Sequence, residues 1–186
     1  MKTIVLGPPG TGKTTTLLNK VDSYLKETDP DKIGYFSFTK KAAEEAITRA
    51  SIRFDLNKQS LIYFKTLHSM ACYQLGLSKN LLMKNYHYKK FGQEIGINLN
   101  NVNLEDENGI IFPNKDEEFL MHINTAKAKG IDLKTQWNRN AKDLKWTSLK
   151  WLANEYKNYK KNSDLHDYTD MLVRFVKEGM PPKLDF

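Results

Sequence analysis

Gly7-Pro8-Pro9-Gly10-Thr11-Gly12-Lys13-Thr14 is the stretch that decides the architecture of this chain. It satisfies G-x-x-x-x-G-K-[ST] in full, and it stands in the context that such a loop needs. Before it runs Thr3-Ile4-Val5-Leu6, β-branched and aliphatic, which reads as a strand buried on both faces. After it, from Thr14 to about Lys26, come helix formers with Leu17, Leu18, Val21, Tyr24 and Leu25 at helical spacing. Glycines let the backbone curl so that successive N–H groups point inward, and the helix start adds its positive dipole end. Lys13 can then reach the β- and γ-phosphates of a nucleotide, and the Thr14 hydroxyl can ligate Mg²⁺. The expected nucleotide-binding set is Gly7, Pro8, Pro9, Gly10, Thr11, Gly12, Lys13, Thr14 and Thr15, with Lys13 as the catalytic cation.

Outward from the loop the pattern repeats. Asp29-Pro30-Asp31 is a turn, and Ile33 to Phe38 reads as a second strand. Thr39 can cap a helix from Lys40 to about Arg49 whose Ala42, Ala43, Ala46 and Ile47 face inward. Leu61 to Phe64 reads as a third strand and Thr66 to Leu75 as a third helix. Three strands separated by helices predict an α/β fold with a mostly parallel sheet and helices on both faces. After Gly76 the strands stop. Helical stretches follow at Asn80 to Gly92, Lys115 to Lys129 and Thr147 to Lys161, the last with a core-type stripe of Leu149, Leu152, Tyr156 and Tyr159. The acidic runs Glu105-Asp106-Glu107 and Asp116-Glu117-Glu118 read as solvated loop or helix start. A last helix, about Tyr168 to Lys177, leads through Gly179-Met180-Pro181-Pro182 to Leu184-Asp185-Phe186, the first residues of a further strand.

The chain has 186 residues, enough for one domain carrying an insertion. No apolar run approaches the ~18 residues of a spanning helix, and the first aliphatic run breaks at Gly7. The single Cys72 has no disulfide or zinc companions and reads as a small buried side chain, which fits a reducing, cytoplasmic setting. The net charge is +7, and its excess lies upstream: 11 basic against 7 acidic residues in 1–78, 15 against 10 in 79–161, and 3 against 5 in 162–186. Only four basic residues are arginines, so charge alone is a modest pointer to a polyanion.

Four further segments fall in order along the chain. Ser37-Phe38-Thr39-Lys40-Lys41-Ala42-Ala43-Glu44-Glu45-Ala46 resembles the TFTNKAAxEM segment of UvrD/Rep-like superfamily 1 DNA helicases. Thr66-Leu67-His68-Ser69 is similar to that family's TFHS, Ile123-Asn124-Thr125-Ala126-Lys127 to its ISxAKN, and Asp167-Tyr168-Thr169-Asp170-Met171-Leu172 to its DFxDLL. The resemblance implies a P-loop NTPase core of RecA-like type, ATP with Mg²⁺ as cofactors, and translocation along single-stranded DNA. It implies a RecA-like first part at 1–78, an inserted helical accessory subdomain at 79–161 and a return to the core at 162–186. Carried over by position, Phe38 offers a base its aromatic face, while Thr39, Lys40, Lys41, Thr66 and His68 offer polar contacts to DNA. Other readings stay open on the residues themselves: Phe38 as core, Lys41 as a solvated helix residue, His68 as a hydrogen-bonding residue near a helix start, and Asp167 with Asp170 as a helix cap.

The sequence departs from the family pattern in five respects. Lys40 stands where the family has Asn, Leu67 where it has Phe, and only six residues precede Gly7, where relatives carry an adenine-contacting glutamine segment. No DExQ segment occurs, and the second RecA-like domain with its arginines is lacking. The expectation is therefore the N-terminal part of a longer helicase, with an incomplete sheet, partnered by the remaining helicase domains and with negligible hydrolysis by itself. The alternative is a stand-alone nucleotide-binding regulatory or interaction module. A small-molecule kinase would need phosphate-binding arginines in a lid, and four scattered arginines do not supply them.

Overall fold

The structure, a computed structural model, describes residues 4–8, 10–99, 114–180 and 182–186. Thr3, Pro9 and the run Glu105-Asp106-Glu107 lie outside the described residues. The chain forms two compact units: Met1–Met70 with Pro181–Phe186, and Ala71–Met180.

The first unit is built on a parallel pair of strands, β1 (Tyr35–Ser37) and β2 (Phe64–Thr66), with Tyr35 opposite Phe64 and Ser37 opposite Thr66. Helix α1 (Lys13–Tyr24) precedes them, and α2 (Lys40–Phe54) packs on both strands. The α2 face toward the strands is a run of small residues at helical spacing, Ala43, Ala46 and Ala50, all buried. Small side chains let the helix approach the sheet closely, and Leu18, Val21, Ile33, Leu61 and Phe64 complete the core. Ala42 is exposed rather than inward, one helical step off that face. Helix α2 runs beyond Arg49 to Phe54 and stops at Asp55 in the left-handed region, φ 52°.

The strand expected at Thr3 to Leu6 does not form among residues 4–6. Ile4 is 82% and Leu6 88% exposed, and the two-stranded sheet pairs β1 only with β2. Aliphatic content makes a segment eligible for a buried strand, but ladder partners on its flanks make it one. The last residues behave in the opposite way. Leu184 to Phe186 form no strand among the described residues, yet Asp185 N–H donates to Lys32 O (3.0 Å) and Gly34 N–H to Phe186 O (2.9 Å). Phe186 stacks on Tyr24 at 3.9 Å between ring centroids, and Thr28 donates to the Asp185 carboxylate at 2.8 Å. Gly34 leaves room for this contact, since a Cβ there would lie 2.6 Å from Leu184 Cδ1 and displace that side chain.

The second unit is helical. After α3 (Leu67–Gln74) come α4 (Asn85–Ile95), α5 (Lys115–Ala128), α6 (Leu133–Asn140), α7 (Trp146–Asn162) and α8 (Tyr168–Glu178). Tyr88 and Phe91 of α4, Leu120 of α5, and Leu152 and Tyr156 of α7 form the core, and α6 and α8 pack on α5. Leu149, Leu152 and Tyr156 of the α7 stripe are buried, with Tyr159 packed at the margin. Helix α6 is not among the helices expected from sequence, although Asp132 marks its start by accepting Thr135 N–H at 2.9 Å. Glu117 is buried rather than solvated: its carboxylate accepts Asn114 N–H while Asn114 accepts Glu117 N–H, both at 2.9 Å. Cys72 is half-buried, its thiol on Leu77 O at 3.2 Å. Met83 N–H donates to His166 O and α8 packs on α5, so residues 162–180 sit within this unit. The family resemblance places divisions at 78/79 and 161/162; the compact units divide at 70/71 and 180/181.

Candidate nucleotide site and nucleic-acid face

The loop enters α1 through two glycines in the left-handed region, Gly10 at φ 83° and Gly12 at φ 78°. Gly12 is the residue before the first helical turn, and that turn has neither a side-chain cap nor an acidic residue. Its first amides are therefore open to an external acceptor, at the positive end of the helix dipole. A Cβ added at Gly10 or Gly12 would meet nothing within 4 Å, so that side of the loop is unobstructed. Thr11 Oγ1 donates to Pro8 O at 2.8 Å and holds the turn closed. Lys13 Nζ donates to Gly7 O and Pro8 O, both at 2.6 Å. The ammonium thus lies over the loop's own carbonyls, and it must leave them to meet an anion at the amide end. Open amides, an open cradle, a tethered cation and a nearby hydroxyl at Thr14 are the donor set that a phosphate chain with Mg²⁺ calls for. Thr14 also approaches the phenol of Tyr35: burial pushes the Tyr35 hydroxyl above its usual range, and a hydrogen bond with Thr14 partly offsets it.

The segments at 37–41 and 66–69 meet because β1 and β2 are parallel and in register. Ser37 opposite Thr66 puts Phe38 to Lys41 and Thr66 to His68 at the same, C-terminal end of the pair. In parallel α/β sheets that end is where ligands bind. Phe38 is 77% exposed, so it is not core. Thr39 caps α2 by accepting Ala42 N–H at 3.2 Å, and Thr66 accepts Ser69 N–H at 3.1 Å in the same way at α3. Each threonine hydroxyl keeps its own proton for another acceptor. Lys40 pairs with Glu44 at 3.5 Å on the surface, Lys41 is exposed, and His68 is half-buried.

The sequence profile of the UvrD/REP helicase N-terminal domain matches residues 1–180. The chain belongs to this family. No curated protein matches the chain. Membership in the UvrD/REP helicase N-terminal domain family carries a P-loop NTPase fold and helicase-type ATP binding, and the family works on DNA together with other helicase domains. Here that fold is helix-rich, with a small open parallel sheet. Among the described residues no helix is long and apolar enough to cross a membrane.

Two other segments of the family pattern are joined directly. Lys127 of the Ile123–Lys127 run forms an ion pair with Asp170 of the Asp167–Leu172 run. Asp167 and Asp170 also close a capping box on α8, Asp170 N–H donating to Asp167 Oδ1 at 2.6 Å. Sequence reasoning missed the third partner, Lys160, which is buried and pairs with Asp167 and, at 2.5 Å, with Asp170. It also missed a recess of about 560 Å³ in the helical unit, lined by Met83, Lys84, Asn85, Tyr86, Lys89 and Tyr168. Its sequence signal is the run Lys84-Asn85-Tyr86 with Lys89 one turn on.

Proposed function

We propose that this chain is the ATP-binding N-terminal part of a UvrD/Rep-type DNA helicase or translocase, acting in the cytoplasm. Gly7 to Thr15 hold ATP with Mg²⁺, Thr14 ligates the metal, and Lys13 neutralises the outer phosphates. Single-stranded DNA passes Phe38, Thr39, Lys40, Lys41, Thr66 and His68, with Phe38 stacking on a base. The register of β1 on β2 is the observation that supports this most, because it gathers two distant segments at the ligand-binding end of one parallel pair. Tyr86 and Tyr168 beside Lys84 and Lys89 offer the same aromatic-and-cationic chemistry in the second unit. Residues 79–161 of that unit form the inserted helical accessory subdomain. Hydrolysis requires the family's acidic DExQ segment in this first domain and, from the second RecA-like domain, arginines worth on the order of 10³ to 10⁵ in rate.

Titration with a fluorescent ATP analogue, with and without Mg²⁺, tests the nucleotide part. Lys13→Ala weakens binding in both series, and Thr14→Ala abolishes the gain from Mg²⁺. Anisotropy with a labelled thymidine oligomer tests the other part, where Phe38→Ala combined with Lys41→Ala weakens binding. If the variants fold and neither ligand's affinity changes, the reading fails.

A further inference from the structure

A cleft of about 640 Å³ opens between α5, α7 and α8 within the helical unit. Its floor is aliphatic, formed by Ile123, Ala153, Leu165 and Val173. The charges on its inner wall are matched: Lys127 pairs with Asp170, and Lys160 with Asp167 and Asp170. Arg174 is bound to Glu178 at 2.8 Å. The rim is not matched. Lys157 and Lys161, one turn apart on α7, and Lys177 on α8 are exposed, and no ion pair among the described residues includes them.

We propose that this cleft docks an acidic amphipathic segment of a partner protein, its carboxylates on Lys157, Lys161 and Lys177 and its aliphatic side chains on the floor. Helix-in-groove recognition needs this division between an apolar trough and a charged edge. The spacing of Lys157 and Lys161 matches acidic residues one turn apart on a docked helix. A nucleic-acid strand would satisfy the charge alone. Sequence-tolerant strand binding also needs open aromatic faces, and Tyr156, the tyrosine in the wall, is buried with the Lys160 ammonium 4.1 Å from its ring centroid. This groove is independent of the nucleotide reading above.

The test uses the 186-residue chain and a fluorescein-labelled peptide with glutamates one turn apart on one face and leucines on the other. Three controls accompany it: a peptide of the same composition with scrambled leucines, a thymidine oligomer as competitor, and the variant Lys157→Glu/Lys161→Glu/Lys177→Glu. The expected result is binding by the patterned peptide that weakens at least about tenfold, or 1.4 kcal/mol, in the triple variant. The circular-dichroism melt of that variant stays unchanged, because all three lysines are exposed. The scrambled peptide binds more weakly, and the oligomer does not displace the patterned one. Equal binding of both peptides, unchanged affinity in the triple variant, displacement by the oligomer, or no binding at about 1 mM peptide would each overturn the proposal.

Discussion

Lys160, in the last turn of α7, forms an ion pair with Asp167, the N-cap of α8, and the two side chains are only 8% and 1% exposed. Asp167 does three jobs with one carboxylate. It pairs with the ammonium, accepts Tyr156 O–H at 2.9 Å and accepts Asp170 N–H at 2.6 Å.

Removing one partner of a buried pair leaves the other charge desolvated, which costs about 3–5 kcal/mol. Asp167→Ala therefore lowers the stability of the helical unit by that order, with the lost cap included. Urea unfolding followed by far-ultraviolet circular dichroism reads it. A loss below about 1 kcal/mol, the scale of a cap alone, would show that Asp170 takes over the pair.

Lys160 also sets a pH dependence. Burial lowers its pKa from 10.5 to about 8, with Asp167 opposing the shift. Below pH 8 the lysine is protonated folded and unfolded. Between about 8 and 10.5 the folded chain binds fewer protons, so this group's contribution to stability rises with pH, on the order of 1–2 kcal/mol by pH 9.5. Tyr88 and Tyr156 act the other way above pH 10: burial raises both phenols, so they ionise first in the unfolded chain. Melts from pH 7 to 9.5, compared with Lys160→Met, isolate the lysine's share; identical slopes in the two proteins would remove it.

Gly12 gives a cleaner separation of strain from contact. A side chain there meets nothing within 4 Å, so the cost of Gly12→Ala is the left-handed backbone itself, about 1–2 kcal/mol. Gly12→Asn recovers part of this, since Asn tolerates that region. Thermal melts order the three as Gly, Asn, Ala, and affinity for the ATP analogue follows the same order.

Phe38 and Phe64 make opposite predictions from the same residue type. Phe38→Ala changes stability by less than about 0.5 kcal/mol, because the ring is exposed. It weakens thymidine-oligomer binding by about 1–3 kcal/mol. Phe64→Ala empties the core beside Tyr35 and costs about 3–5 kcal/mol. Paired unfolding and anisotropy measurements distinguish the two effects.

What local chemistry fixes was legible in the amino-acid order. Gly10, Gly12, Lys13 and Thr14 declare their loop because backbone freedom and reach are local properties. Thr39 and Asp167 declare their helix starts because a cap bonds within three residues. The ordered motifs were enough for the family. Partnership at a distance was not legible. Ile4 to Leu6 have the composition of a buried strand, yet Ile4 and Leu6 stand exposed for want of a ladder partner. Lys160 looks like any lysine of a surface helix until α8 brings Asp167 and Asp170 against it. The order of residues determined the glycine-rich loop and most of the helices, whose interactions span a turn or two; the register of β1 on β2, the buried charge network and the groove beside it were decided by tertiary packing, because each joins groups far apart along the chain.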